Sequence, residues 1–191
     1  KANAAKQLRA LAERTAVPVT TTLMGRGAFP DTHPLALGMP GMHGTYTAIT
    51  ALQKADLIVA IGVRFDDRVT GDPDTFAPEA KVIHADVDPA EIGKVRFADV
   101  PIVGDARRVI ERLIEAWGDR EVPDREPWMN TLRRWQREHP LRYSQDPDGP
   151  IKPQYVVEEL HRLTGGDATV VAGVGQHQMW ASQYWKFEDP R

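Results

Sequence analysis

Asp56-Leu57-Ile58-Val59-Ala60-Ile61-Gly62 is a continuous apolar run held between an acid and a glycine. Five apolar positions without alternation read as a strand buried on both faces, as in a parallel sheet. On its amino side, Ile49 and Leu52 mark a helix of about Thr45–Lys54. On its carboxyl side, Lys81–Asp86 reads as the next strand. Val100–Gly104 is a short edge candidate, because Pro101 cannot donate to a ladder. Asp105 then caps a helix over Ala106–Trp117, with Val109, Ile110, Leu113 and Ile114 facing inward. Farther back, Leu8, Leu11 and Ala12 share one face of a helix from Ala4 to Thr15. Pro18–Thr22 is strand-like, and a loop rich in Gly and Pro runs on to Gly44. Alternating helices and strands make residues 1–118 an α/β unit, a Rossmann-like parallel sheet flanked by helices.

After Trp117 the texture changes. Gly118–Pro127 is charged and carries two prolines, as a linker does. Trp128, Leu132 and Trp135 mark one helix, and their helical spacing speaks for packing. Asp146-Pro147-Asp148-Gly149-Pro150 is a second break, so residues 119–150 form a connector. From residue 151 a second α/β unit is expected to begin, with a helix over Gln154–Leu163 and a strand over Ala168–Ala172. The first helix opens without an N-cap, and the last motif lies close to Arg191; the chain reads as a piece of something larger.

Composition narrows the function classes. The chain has 191 residues, 41% hydrophobic and 27% charged, ordinary for a globular protein. A formal charge of −3 gives no electrostatic reason to expect nucleic acid or an anionic membrane. No apolar run approaches the ~20 residues of a membrane span. The absence of cysteine excludes disulfides and thiolate chemistry, and is compatible with a cytoplasmic protein.

The richest chemistry lies in Gly173-Val174-Gly175-Gln176-His177-Gln178-Met179-Trp180. Its glycines permit close backbone approach, and Gln176 and His177 offer neutral hydrogen-bonding groups. A helix starting there would aim free N–H groups at an anion such as a diphosphate. In the first unit, Gly62 ends one strand and Asp86 the next, where an acid can bind a ribose hydroxyl. Arg64 and Arg68, just past Gly62, can contact a diphosphate or a substrate carboxylate. They could equally pair with Asp66 and Asp67 on the surface. Asp66, Asp67 and Asp88 also suit caps and turns. His84, Asp86 and Asp88 share a strand face and mimic a metal site, but no further ligand cluster supports one. His33 and His139, among prolines and charges, read as solvated, and His161 as a surface residue. Leu23–Pro30 has a Gly-x-Gly start but Pro in place of a third glycine, a weak dinucleotide signal.

Taken together, five segments resemble one family. They are Thr22–Gly25, Gly38–Gly44, Arg64–Gly71, His84–Lys94 and Gly175–Trp180, and they look like the catalytic subunit of acetolactate synthase. The resemblance covers most of the chain, in order. It implies a central FAD-binding domain (1–118), a connector (119–150) and the start of a thiamine-diphosphate-binding domain (151–191). It implies condensation of two pyruvates, or of pyruvate with 2-oxobutyrate, with thiamine diphosphate and Mg²⁺ and a structural FAD. By resemblance, Thr22, Leu23, Gly41, Met42, His43, Gly62, Val63, Arg64, Phe65, Asp66, Asp86, Val87 and Asp105 line the FAD site. Val174, Gly175, Gln176 and His177 meet the diphosphate, and Arg68 engages the acceptor oxoacid's carboxylate. Pro40 and Ala106 depart from residues seen in some members. The family's catalytic glutamate and Mg²⁺ ligands have no match here, so the chain alone is expected to be inactive. The family implies a homodimer or tetramer, with a small regulatory subunit in some assemblies, and no nucleic acid or membrane partner. Other readings are a different flavin-containing thiamine enzyme, of the glyoxylate carboligase or pyruvate oxidase type, or a non-catalytic nucleotide-binding module.

Overall fold

The computed structural model describes residues 2–190. Its elements are α1 (Ala5–Thr15), β1 (Val19–Thr20), β2 (Ala36–Gly38), α2 (Tyr46–Gln53), β3 (Leu57–Ile61) and α3 (Asp67–Thr70). They continue with β4 (Lys81–Asp86), β5 (Val100–Val103), α4 (Ala106–Trp117), α5 (Glu126–Glu138), α6 (Pro153–Thr164) and α7 (Gln176–Tyr184). All strand pairs are parallel, in a two-stranded sheet β1-β2 and a three-stranded sheet β3-β4-β5. The protein is thus α/β, with parallel sheets flanked by helices. None of its described helices is long and apolar enough to cross a membrane.

β3 departs from the two-sided burial expected of it. Ile58 and Ala60 pack with Val82, Phe65, Phe76, Ala77 and Ala80 in one core. Leu57 and Val59, on the opposite face, are 48% and 37% exposed. Successive strand residues alternate sides, and α4 lies against β4 and α1, leaving this face of β3 uncovered. β5 is an edge strand, as β3 is on the other side, and its Pro101 pairs in register with His84.

Local chemistry sets the helix starts. Thr45 Oγ1 accepts from Ala48 N at 3.1 Å to cap α2. Asp105 Oδ1 accepts from the Arg107 and Arg108 amides at 3.1 and 3.3 Å to cap α4. Inside α4, Val109 and Ile110 are buried.

A second core joins the connector to the first unit. Leu132 and Met129 of α5 are buried against Leu37, Ala48 and Ala51, and Trp128 meets Trp135 edge-on at 5.6 Å. Three further expectations fail. The Gly- and Pro-rich loop contains a strand, β2, which pairs with β1. Residues 168–172 form no strand, since among the described residues no neighbouring strand takes their backbone groups, and Val171 is 90% exposed. His33 is packed rather than solvated: it meets the Phe29 ring edge-on at 4.8 Å and pairs with Glu13 at 3.2 Å.

Candidate cofactor-binding site

Every strand runs out into one of the segments singled out in the sequence. Thr22 follows β1 and opens a 3₁₀ turn over Leu23–Gly25. Gly41, Met42 and His43 lie in the loop after β2. Gly62, Val63, Arg64, Phe65 and Asp66 follow β3, Asp86 and Val87 lie at the end of β4, and Asp105 follows β5.

Backbone bonds fuse these ends into a rim. Gly62 N donates to Ala85 O at 2.8 Å and Gly104 N to Asp86 O at 2.9 Å, so three strand ends stand side by side. Met42 N donates to Arg68 O at 2.8 Å, tying the loop after β2 to α3. Gly41 is buried at φ +89°, and a Cβ there would overlap the Arg68 carbonyl. Only glycine allows this approach. The rim is the carboxyl edge of parallel strands, where open α/β sheets bind ligands.

Its charges are held loosely. Arg64 pairs with Asp66 at 3.0 Å and Arg68 with Asp67 at 3.1 Å, yet the arginine side chains are 68% and 71% exposed. Exposed pairs contribute only about 0–1 kcal/mol, so either guanidinium can turn to an anionic ligand at small cost. The Arg68 amide, donating to Asp66 Oδ1 at 3.1 Å, leads the contacts that hold the Asp66 carboxyl below the ordinary carboxylate range. Asp86 accepts from Asp88 N through Oδ1 at 2.9 Å. Among the described residues no donor is bonded to its Oδ2, the oxygen a ribose hydroxyl would need. Gly62, at φ +65°, faces open space, with nothing within 4 Å of an added Cβ. Those features fit a dinucleotide lying across the rim.

His84 points elsewhere. It is fully buried, with Nε2 at 2.8 Å from the Val63 carbonyl and its ring edge-on to Phe65 at 5.1 Å. It therefore braces the end of β3 from beneath. Phe65, at φ +53°, is itself 3% exposed, so it serves the core under the rim more than the rim surface. Among the described residues no group of three or more His, Asp or Glu side chains could hold a metal ion.

Val174, Gly175, Gln176 and His177 are exposed at the start of α7. Gly175, at φ +150°, occupies the N-cap, and no side chain caps the helix. Gln178 N already donates to Gly175 O at 3.1 Å, so the amides left for an anion are those of Gly175, Gln176 and His177, which suits a diphosphate. The carboxyl half of α7 reaches the first unit: Gln183 Nε2 donates to the His43 carbonyl at 2.8 Å. That link escaped the sequence reading, because residues 140 apart give no local signal. A cleft of about 270 Å³ runs along this seam, lined by His43, Thr45, His139, Glu158, Gln183 and Tyr184 among others. Glu158 accepts a hydrogen bond from Tyr143, which pushes the phenol's pKa up to about 12. His139 is exposed, as expected, with its ring tilted against Tyr46 at 3.9 Å, and His161 meets Trp185 edge-on at 5.0 Å.

Residues 1–113 match the family described as thiamine pyrophosphate enzyme, central domain. The chain is 56% identical to the acetolactate synthase large subunit of Mycobacterium tuberculosis, over all of this chain and 31% of that protein. It is 55% identical to the acetolactate synthase large subunit of Corynebacterium glutamicum, with the same coverage. It is 46% identical to the isozyme 3 large subunit of Escherichia coli, over 97% of this chain and 33% of that protein. The chain thus spans about a third of the length of the curated relatives it matches.

Proposed function

Because the chain belongs to the thiamine pyrophosphate enzymes, with their central domain over residues 1–113, we propose that it is part of an acetolactate synthase large subunit. The whole protein would join two pyruvates, or pyruvate and 2-oxobutyrate, with loss of CO₂, in branched-chain amino-acid synthesis. Residues 1–118 would form the FAD-binding domain, 119–150 the connector, and 151–191 the start of the domain that holds thiamine diphosphate. The active parent would be a homodimer or tetramer in the cytoplasm.

In this reading FAD lies across the rim. Gly62 admits its backbone-close parts, Gly41 lets the loop after β2 close on α3 beside it, Asp86 Oδ2 takes a ribose hydroxyl, and Arg64 takes phosphate. The free amides at Gly175–His177 receive the diphosphate of the second cofactor, with Gln176 and His177 as side-chain donors. Thiamine diphosphate, when bound, supplies the carbanion chemistry. Mg²⁺ and the activating carboxylate would be held by other segments of the parent. Arg68 has the separate task of orienting the acceptor oxoacid through its carboxylate.

The observation that carries this reading is the α3 turn. It presents Arg68 on the rim, 71% exposed and held by a single surface ion pair, while its backbone is fixed to Met42. In the full-length parent, Arg68→Ala should therefore leave FAD absorbance intact. Carboligation should fall about ten- to a hundredfold, from the ~1.5–3 kcal/mol of a charge-assisted hydrogen bond. Decarboxylation of the first pyruvate should change much less. An unaltered dependence on acceptor concentration would remove Arg68 from this role.

A further inference from the structure

The segment after α7 is clasped to the loop after β1. Arg26 and Asp31 form an ion pair whose side chains are only 8% and 6% exposed. Arg26 Nη1 also donates to Thr21 Oγ1 at 2.9 Å, and its guanidinium lies 5.3 Å from the centre of the Phe187 ring. Asp31 grips the same residue through its backbone: Oδ2 accepts from Phe187 N at 2.8 Å, and Asp31 N donates to Phe187 O at 2.9 Å. Thr32 donates to the Glu188 carboxylate through its amide at 3.2 Å and its hydroxyl at 2.7 Å. Gly27, at φ +80°, lies so close to Asp189 that a Cβ would overlap the Asp189 carbonyl.

So much buried polarity is a poor way to add stability. Desolvation lowers the Arg26 pKa and raises that of Asp31 despite their mutual attraction. Arg26 Nε is buried without a partner among the described residues. Buried pairs of this sort often do no better than an apolar replacement, and their best-attested use is to fix register. Here the register concerns α7. Trp185, its C-cap, is buried, and two residues on Phe187 is locked to Asp31. A nine-residue helix is a stiff rod of roughly 13 Å, so holding its carboxyl end directs its amino end.

We propose that Arg26 and Asp31 are positioning residues. They fix the carboxyl end of α7 on the first unit and thereby set where the Gly175–His177 turn stands. What the turn then holds rests on the function proposed above. Neither residue is among those assigned to a cofactor above.

Hydrogen exchange on the purified chain tests the clasp. Asp31→Ala and Arg26→Met should speed exchange of the hydrogen-bonded amides between residues 178 and 187 by about tenfold or more, leaving β3, β4 and β5 protected. Gly27→Ala keeps both charges but displaces residues 187–190, and should reproduce that pattern if either charge variant fails to fold. Unchanged exchange at residues 178–187, or a uniform rise through β3–β5, overturns the proposal. In the full-length parent, Asp31→Ala should weaken thiamine diphosphate binding about tenfold with FAD content unchanged. Equal affinity in variant and wild type would also overturn it. A wild-type parent indifferent to thiamine diphosphate would instead overturn the proposed function, while the exchange experiment still decides the clasp.

Discussion

Gly41 and Gly62 both sit on the rim with positive φ, yet they should respond differently to the same added methyl. In Gly62→Ala the new Cβ meets nothing within 4 Å, so the cost is the left-handed backbone alone, about 1–2 kcal/mol. In Gly41→Ala the same backbone cost, at φ +89°, is joined by overlap with the Arg68 carbonyl and the Val69 Cα. Those are backbone atoms tied down by the Met42–Arg68 bond, so they cannot swing away as a side chain would. Overpacking of this kind adds about 1–3 kcal/mol. Gly41→Ala should thus cost ~3 kcal/mol or more and Gly62→Ala ~1.5. For a chain of this length that lowers Tm by roughly 6–12 °C and 3–6 °C respectively. Urea and thermal unfolding of the two variants beside wild type measures the difference. Flavin retention in the parent should invert the order relative to stability, since the Gly62 methyl projects into the space assigned to the cofactor. If Gly62→Ala proves as destabilising as Gly41→Ala, the close approach of the α3 backbone is not what demands glycine at position 41.

Two other outcomes are expected. Leu132→Ala removes three buried carbons from the seam between α5 and α2, where Leu132 is wholly inaccessible. It should cost ~3 kcal/mol from lost transfer energy plus a residual cavity. A loss below ~0.5 kcal/mol in urea unfolding would mean that α5 is a tether, not part of the core. Asp66 has a folded-state pKa below its ordinary 3.8, so its contribution is present above that pH and fades as pH falls through the lowered value. Asp66→Asn should therefore flatten the acid limb of stability below about pH 4, by a small amount because the group is solvated. An acid limb identical to wild type would show that the Arg68 amide gives Asp66 no such preference.

The sequence was most legible where a local rule sufficed. The apolar run at β3, the Asp105 cap and the α4 stripe each need only near neighbours, and they stand where periodicity puts them. The place of the strand-end glycines and Asp86 was legible for a related reason: short apolar runs ending in Gly or Asp mark the carboxyl ends of strands. What escaped depended on partners far along the chain. β2 has three residues and lacks a hydrophobic period of its own; it is a strand because β1 pairs with it. Ala168–Ala172 has the composition of a strand and no ladder to join. His33 looked polar and proved packed, since a local turn brings Phe29 to it and the fold brings Glu13. The exposed face of β3 was invisible for the same cause, because cover is a property of the assembly.

His84 offers a way to watch the rim. Its Nε2 faces a carbonyl, which can only accept, and the Gly93 amide, which can only donate, approaches Nδ1 at 3.4 Å. The two neighbours together select one tautomer, with the proton on Nε2. The ring is sealed from solvent and joins the Val63 end of β3 to the turn at Gly93. A nitrogen-labelled imidazole there would report, through the separation of its two ring-nitrogen resonances, whether the strand end and the turn are still in place. A ligand settling on the far side of that strand end would be read from a buried ring that it never touches.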